Sequence, residues 1–237
     1  MADLHLPNPA ADPSLDVERI YSPLTPPNPE TRPSNPVYPV HPGTYETVEF
    51  APTPSQTVGP YWSIGLYIGD GGEVVPEDAE GALLIELTVL DGAGDPIADV
   101  LLETWQADAA GRFNHPDDPR GAAEPTPPGF RGFGRIIVDQ HGTGLVRTVK
   151  PGALPAEDGL VEAPHIDLGV FARGMLERLF TRIYFPDEAA ANAADPVLAS
   201  LPESERGKII ATKTDTGYKM TIYVQDDRGR ETPFFAI

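Results

Sequence analysis

Cysteine is absent from the sequence, which excludes disulfides and thiolate metal sites and fits a reducing compartment. Basic residues are scarce: 17 Lys and Arg stand against 36 Asp and Glu, a formal net charge of −19. A nucleic-acid surface needs clustered positive charge, so that class of partner is excluded. No apolar run approaches the roughly 20 residues of a membrane span, and the N-terminus lacks the basic start and apolar core of a signal peptide. The cytoplasm is the expected location. Helical periodicity is also sparse. It is confined to residues 186–194, where a proline and two acids open the first turn, and to residues 196–201. Glycine-rich phosphate loops are missing, because Gly129-Phe130-Arg131-Gly132-Phe133-Gly134 has the wrong spacing and no helix after it.

What the chain does have is proline and glycine, 28 and 23 of its 237 residues. Eleven of the prolines fall in residues 1–50, a density that no helix or central strand tolerates. Extended, polyproline-like backbone is expected there, either as a loose tail or as an arm laid over a partner chain, with Ile20, Tyr21, Val37, Tyr38, Val40 and Phe50 giving the segment something to bury. Residues 51–237 then read as one domain, with no internal repeat. Short strand-like runs alternate with Gly, Asp and Pro turns: 82–89, 100–106, 133–138, 144–149, 163–173, 179–185, 208–213 and 218–225. The first two runs, separated by Asp91-Gly92-Ala93-Gly94-Asp95-Pro96, read as a hairpin or close neighbours in a sheet. The next two flank a similar turn at Asp139-Gln140-His141-Gly142. The predicted class is all-β: a β-sandwich of mixed topology with short peripheral helices and a long proline-rich N-terminal arm.

One strand carries the chemical question. In residues 163–173 side chains alternate, so His165, Asp167, Gly169, Phe171 and Arg173 share one face and Ile166, Leu168, Val170 and Ala172 the other. His165 and Asp167 lie roughly 6.6 Å apart along such a strand and can share a site, whereas Arg173 is roughly 26 Å from His165. Arg173 must serve something else. By themselves His165 and Asp167 are more often a hydrogen-bonded structural pair than metal ligands. The spacing shows no Ser-His-Asp or paired-carboxylate arrangement.

Several motifs in order resemble the intradiol ring-cleaving dioxygenases. They are Thr53-Pro54-Ser55-Gln56-Thr57-Val58-Gly59-Pro60-Tyr61, Glu103-Thr104-Trp105-Gln106-Ala107-Asp108, Thr148-Val149-Lys150-Pro151-Gly152, Ala163-Pro164-His165-Ile166-Asp167, Phe171-Ala172-Arg173-Gly174 and Thr181-Arg182-Ile183-Tyr184-Phe185. The similarity runs from about Thr53 to the end. The resemblance implies a β-sandwich and a ferric ion held by two tyrosines and two histidines, hard oxygen and imidazole donors that suit Fe(III). It also shows what has been lost. The two tyrosine positions fall at Phe113 and near Leu154, His165 keeps the first histidine, and Asp167 stands at the second. Three of four donors are gone, so no catalytic residue and no iron site are expected in this chain.

By the same resemblance, this is the iron-free member of a pair, and the Fe(III) belongs to a homologous beta subunit in an alpha–beta oligomer. Its contribution would be to complete the substrate pocket through Thr57, Gly59, Pro60, Tyr61 and Arg173. The substrates would be 3,4-dihydroxybenzoate and O2. Gly59-Pro60 offers close backbone approach to a planar ring, and an arginine offers a charged fork for a carboxylate. Two other readings stay open: an iron dioxygenase complete in itself, with displaced ligands such as Tyr61, Tyr184 or Tyr223, and a β-sandwich with a purely binding or structural role.

Overall fold

The structure is a computed structural model that describes Gly59, Gly65, Leu66, Gly69, residues 71–118 and residues 120–236. The proline-rich arm, and with it Thr57, Pro60 and Tyr61, lies outside the described residues. Among the described residues there are ten strands: β1 (Ala82–Leu90), β2 (Leu101–Trp105), β3 (Phe133–Ile137), β4 (Thr143–Val149), β5 (Leu154–Pro155), β6 (Val161–Glu162), β7 (His165–Phe171), β8 (Leu179–Tyr184), β9 (Thr212–Lys213) and β10 (Gly217–Tyr223). They make two four-stranded sheets, ordered β4-β1-β10-β9 and β3-β2-β7-β8, and a small hairpin of β5 and β6. The β1–β10 pair is parallel and gives the first sheet its mixed topology.

The alternation written into the strands decides which faces meet. In β10, Tyr218, Met220 and Ile222 are buried while Lys219 and Thr221 are exposed. Ile85, Leu87 and Val89 of β1 join them from the first sheet, and Leu102, Ile166, Leu168, Val170 and Ile183 from the second, in one core cluster. Each of these large aliphatic side chains contributes about 1.5–3 kcal/mol on burial. The two inner faces therefore hold the sandwich together, and β7 lies inside its sheet with its chemistry-bearing residues on the opposite face.

The short helices sit at the edge as expected. A 3₁₀ turn at Pro186–Glu188 runs into the helix Ala189–Ala194, and Asp195 then caps the helix Pro196–Ser200 by accepting the Leu198 N–H at 2.8 Å. Lys150 fastens the first turn to β4, donating to Asp187 Oδ2 at 2.7 Å and Glu188 Oε1 at 2.9 Å.

Three local expectations are corrected. β1 and β2 are not paired but lie in opposite sheets, and so do β3 and β4. Both intervening turns carry the chain across the sandwich. They are closed by an aspartate in each case: Asp91 Oδ1 accepts the N–H groups of Ala93, Gly94 and Asp95, and Asp139 Oδ1 those of His141 and Thr143. The third correction concerns residues 208–213, which begin as a 3₁₀ turn at Gly207–Ile209 and form only the two-residue β9. Among the described residues no helix is long and apolar enough to cross a membrane.

Candidate functional site

Register across the second sheet brings the chemistry together. Phe133 of β3 pairs with Trp105 of β2, Trp105 with Asp167 of β7, and Asp167 with Arg182 of β8. One row of the outward face thus reads aromatic, aromatic, carboxylate, guanidinium. One step along, His165 pairs with Tyr184. The small hairpin adds Glu162, whose cross-strand partner is Leu154.

Arg182 is the centre of this cluster. Its Nε donates to Asp167 Oδ1 at 3.0 Å, and its Nη1 donates to Glu162 Oε2 at 2.9 Å and to the Tyr184 hydroxyl at 3.4 Å. Its side chain is only 15% exposed, so these bonds form where water screens little. Burial pushes the Asp167 carboxyl above its ordinary range, and the Glu162 charge adds to that, while His165 and Arg182 pull the other way. Tyr184 is fully buried, and burial first, then Asp195, pushes its phenol well up. It stays protonated and donates to Asp195 Oδ1 at 3.1 Å, the opposite of what a tyrosinate ligand needs.

His165 is buried, and its Nδ1 donates to the Ala163 carbonyl at 2.7 Å. That bond aims Nε2 at the carboxylates, 3.4 Å from Glu162 Oε2 and 3.8 Å from Asp167 Oδ1. A backbone carbonyl holding one ring nitrogen is how ligating histidines are oriented, so His165 retains a ligand's posture. The remaining positions do not match it. Phe113 stacks on Trp105, ring centroids 5.8 Å apart and planes 7° apart, and Leu154 offers only hydrocarbon. Asp167 is taken by Arg182. The residues present therefore do not fit a ferric ion: two of the four expected donors are absent, a third is engaged, and a guanidinium stands among the rest. Among the described residues no group of three or more His, Asp or Glu is placed to hold a metal ion.

The loop bearing Phe113 is built on two aspartates. Asp108 Oδ1 accepts the N–H groups of Ala110 and Arg112 at 2.9 and 2.8 Å. Asp118 accepts the Phe113 N–H at 3.1 Å and the Arg120 side chain. Arg120 holds the Asp118 carboxyl well below the usual range, its guanidinium first and its own backbone N–H next. Beside the stacked rings lies a small cleft of about 40 Å³ lined by Trp105, Gln106, Phe113, His115, Phe130 and Arg131.

Of the expected pocket residues, Gly59 and Arg173 are among those described. Arg173 lies beyond the end of β7, its side chain two-thirds exposed and its Nε 3.1 Å from Asp99 Oδ2. The structure therefore keeps it apart from His165 and Asp167. Gly59 has a left-handed backbone, φ 72°, a conformation that suits glycine. Thr57, Pro60 and Tyr61 lie outside the described residues. Sequence reasoning missed Arg182, Glu162 and Asp195. A signal existed for the first, since alternation in 179–185 places Arg182 and Tyr184 on one face of a strand.

Comparison with known proteins fits this geometry to a class. A family model described as a dioxygenase matches residues 72–224. The Protocatechuate 3,4-dioxygenase alpha chain of Burkholderia cepacia is 39% identical over 201 residues, covering 78% of this chain and 97% of that one. The alpha chain of the same name from Pseudomonas putida is 36% identical over 206 residues, covering 79% and 98%. The Protocatechuate 3,4-dioxygenase beta chain of Burkholderia cepacia is 38% identical over 125 residues, 52% of each chain. The chain belongs to the intradiol dioxygenase family, and within it to the group of protocatechuate 3,4-dioxygenase alpha chains. That family generally uses Fe(III).

Proposed function

We propose that this chain is the alpha partner in a protocatechuate 3,4-dioxygenase, without iron of its own, and that it completes the substrate pocket of a homologous beta chain that holds the Fe(III). The reaction cleaves 3,4-dihydroxybenzoate between its two hydroxylated carbons. Each of those carbons becomes a carboxyl in 3-carboxy-cis,cis-muconate, both atoms of O2 are retained, and no external reductant is consumed. The observation that carries this reading is an arginine-filled, donor-poor site in a chain that matches alpha chains along nearly their whole length. The similarity to both an alpha and a beta chain supports the partnership.

This chain's task in that assembly is binding and orientation. Arg173, exposed at the end of β7, exchanges Asp99 for the substrate carboxylate, while Thr57, Gly59, Pro60 and Tyr61 approach the ring. Residues 51–237 form the dioxygenase-like domain, residues 1–50 an extension, and the complex works in the cytoplasm. Co-expression with a beta chain should give turnover of 3,4-dihydroxybenzoate with equimolar O2 uptake, and this chain alone should give none. Arg173→Ala should raise KM roughly 10- to 100-fold, the worth of a charge-assisted pair, with iron content and assembly intact. A beta chain equally active without this partner, or unchanged kinetics in Arg173→Ala, would overturn the assignment.

A further inference from the structure

We propose that Arg182 is the built-in cation of the former metal site, a guanidinium that replaces the ion and closes the position to metals. This goes beyond the catalytic assignment and rests on this chain's own residues. Three elements converge on the group: Glu162 from β6, Asp167 from β7 and the Tyr184 hydroxyl from β8, all within 3.4 Å of Nε or Nη1. Glu162 and Asp167 are only 21% and 23% exposed. Two carboxylates so enclosed repel each other unless a positive charge stands between them. The guanidinium supplies it permanently, because arginine does not lose its proton in proteins.

The imidazole makes the case specific to a cation. His165 is 3% exposed, and its Nε2 points at the same two carboxylates while Nδ1 is held by a carbonyl. Imidazole and carboxylate are donor types that first-row metals take, and here the positive charge beside them is covalently attached. Direct cross-strand pairing of Asp167 with Arg182 fixes its location. An arginine elsewhere on β8 would not reach.

The substitution Arg182→Ala separates a cation site from an ordinary ion pair. In the full-length chain, removing one partner of a buried pair should lower Tm by roughly 6 to 20 °C. About 10 mM guanidinium, far below unfolding concentrations, should recover at least half of that loss, and equal urea or NaCl should not. Cobalt(II) should bind the variant in a 1:1 ratio with visible ligand-field absorption and should raise Tm, leaving the wild-type chain colourless and its Tm unmoved. If Arg182→Ala does not accumulate folded, Glu162→Gln and Asp167→Asn placed in an Arg182→Met background should restore folding by removing the charges that needed compensation. Failure of both cations to rescue the alanine variant, cobalt binding to the wild type, or an unrestored neutral triple variant would each overturn the proposal. None of these outcomes depends on turnover, so the catalytic assignment and this one fail separately.

Discussion

Asp195 is the buried carboxylate on which the floor of the site rests, and its removal should be costly in a calculable way. The residue has no exposed surface. Its Oδ2 accepts the Ala163 N–H at 2.7 Å, and its Oδ1 accepts the Leu198 N–H at 2.8 Å and the Tyr184 hydroxyl at 3.1 Å. Asp195→Ala strands three donors, each at about 1–3 kcal/mol, one of them also a helix cap. Because the Tyr184 hydroxyl can turn, the two backbone donors set the sum at about 2–6 kcal/mol, which is a Tm loss of roughly 4–24 °C for a domain of this size. Asp195→Asn keeps an oxygen for the two donors that share Oδ1 and sets an NH2 against the Ala163 N–H. It should lose about 1–3 kcal/mol. Thermal melts and urea midpoints at unchanged m-value measure both. An alanine variant melting with the wild type, or an asparagine variant as damaged as the alanine one, would refute this partition.

Two further predictions concern the loops. The Arg230 side-chain hydrogen bond, opposed by burial and aided by the Arg230 backbone N–H, holds the Asp226 carboxyl down to about 2, and Arg120 likewise holds Asp118 low. Both groups are more acidic folded than unfolded, so their contribution is complete above the ordinary carboxylate value of about 4. It is lost as pH falls toward about 2. Arg230→Ala should therefore move the acid-unfolding midpoint to higher pH, and an unmoved midpoint would contradict the coupling. Gly111 sits at φ 70°, with the position of a Cβ blocked by the Ala153 carbonyl. Gly111→Ala should cost roughly 1–3 kcal/mol, seen as a lowered Tm. An unchanged Tm would show that the segments around Phe113 and Leu154 are not packed as described.

The strands were legible where alternation is clean. Buried Tyr218, Met220 and Ile222 against exposed Lys219 and Thr221 are the pattern of a half-buried strand, and the apolar face of β7 follows the same rule. Strand partners were not legible. A turn such as Asp91 to Pro96 can close a hairpin or cross between sheets with the same polar residues, and the core it crosses is made by residues distant in sequence. The brief 3₁₀ turn at Gly207–Ile209 shows the other limit, because a short apolar run carries no period. For the site, losses were easier to read than replacements. Phe113 and Leu154 cannot donate, whatever surrounds them. Arg182 gains its meaning only from register, since Asp167 lies across a strand pair and Glu162 on a hairpin that the sequence did not announce. Arg173 was rightly separated from His165 by counting residues along the strand, and its surface pair with Asp99 needed the fold.

The central proposal is that iron in the working complex belongs to the beta chain and not to this one. The direct measurement is the iron carried by each chain after the purified complex is resolved into its subunits under non-denaturing conditions, read by native mass spectrometry. One ferric ion on each beta chain and none on this chain is the predicted result. Iron retained by this chain in isolation, with visible tyrosinate-to-iron absorption, would contradict the account.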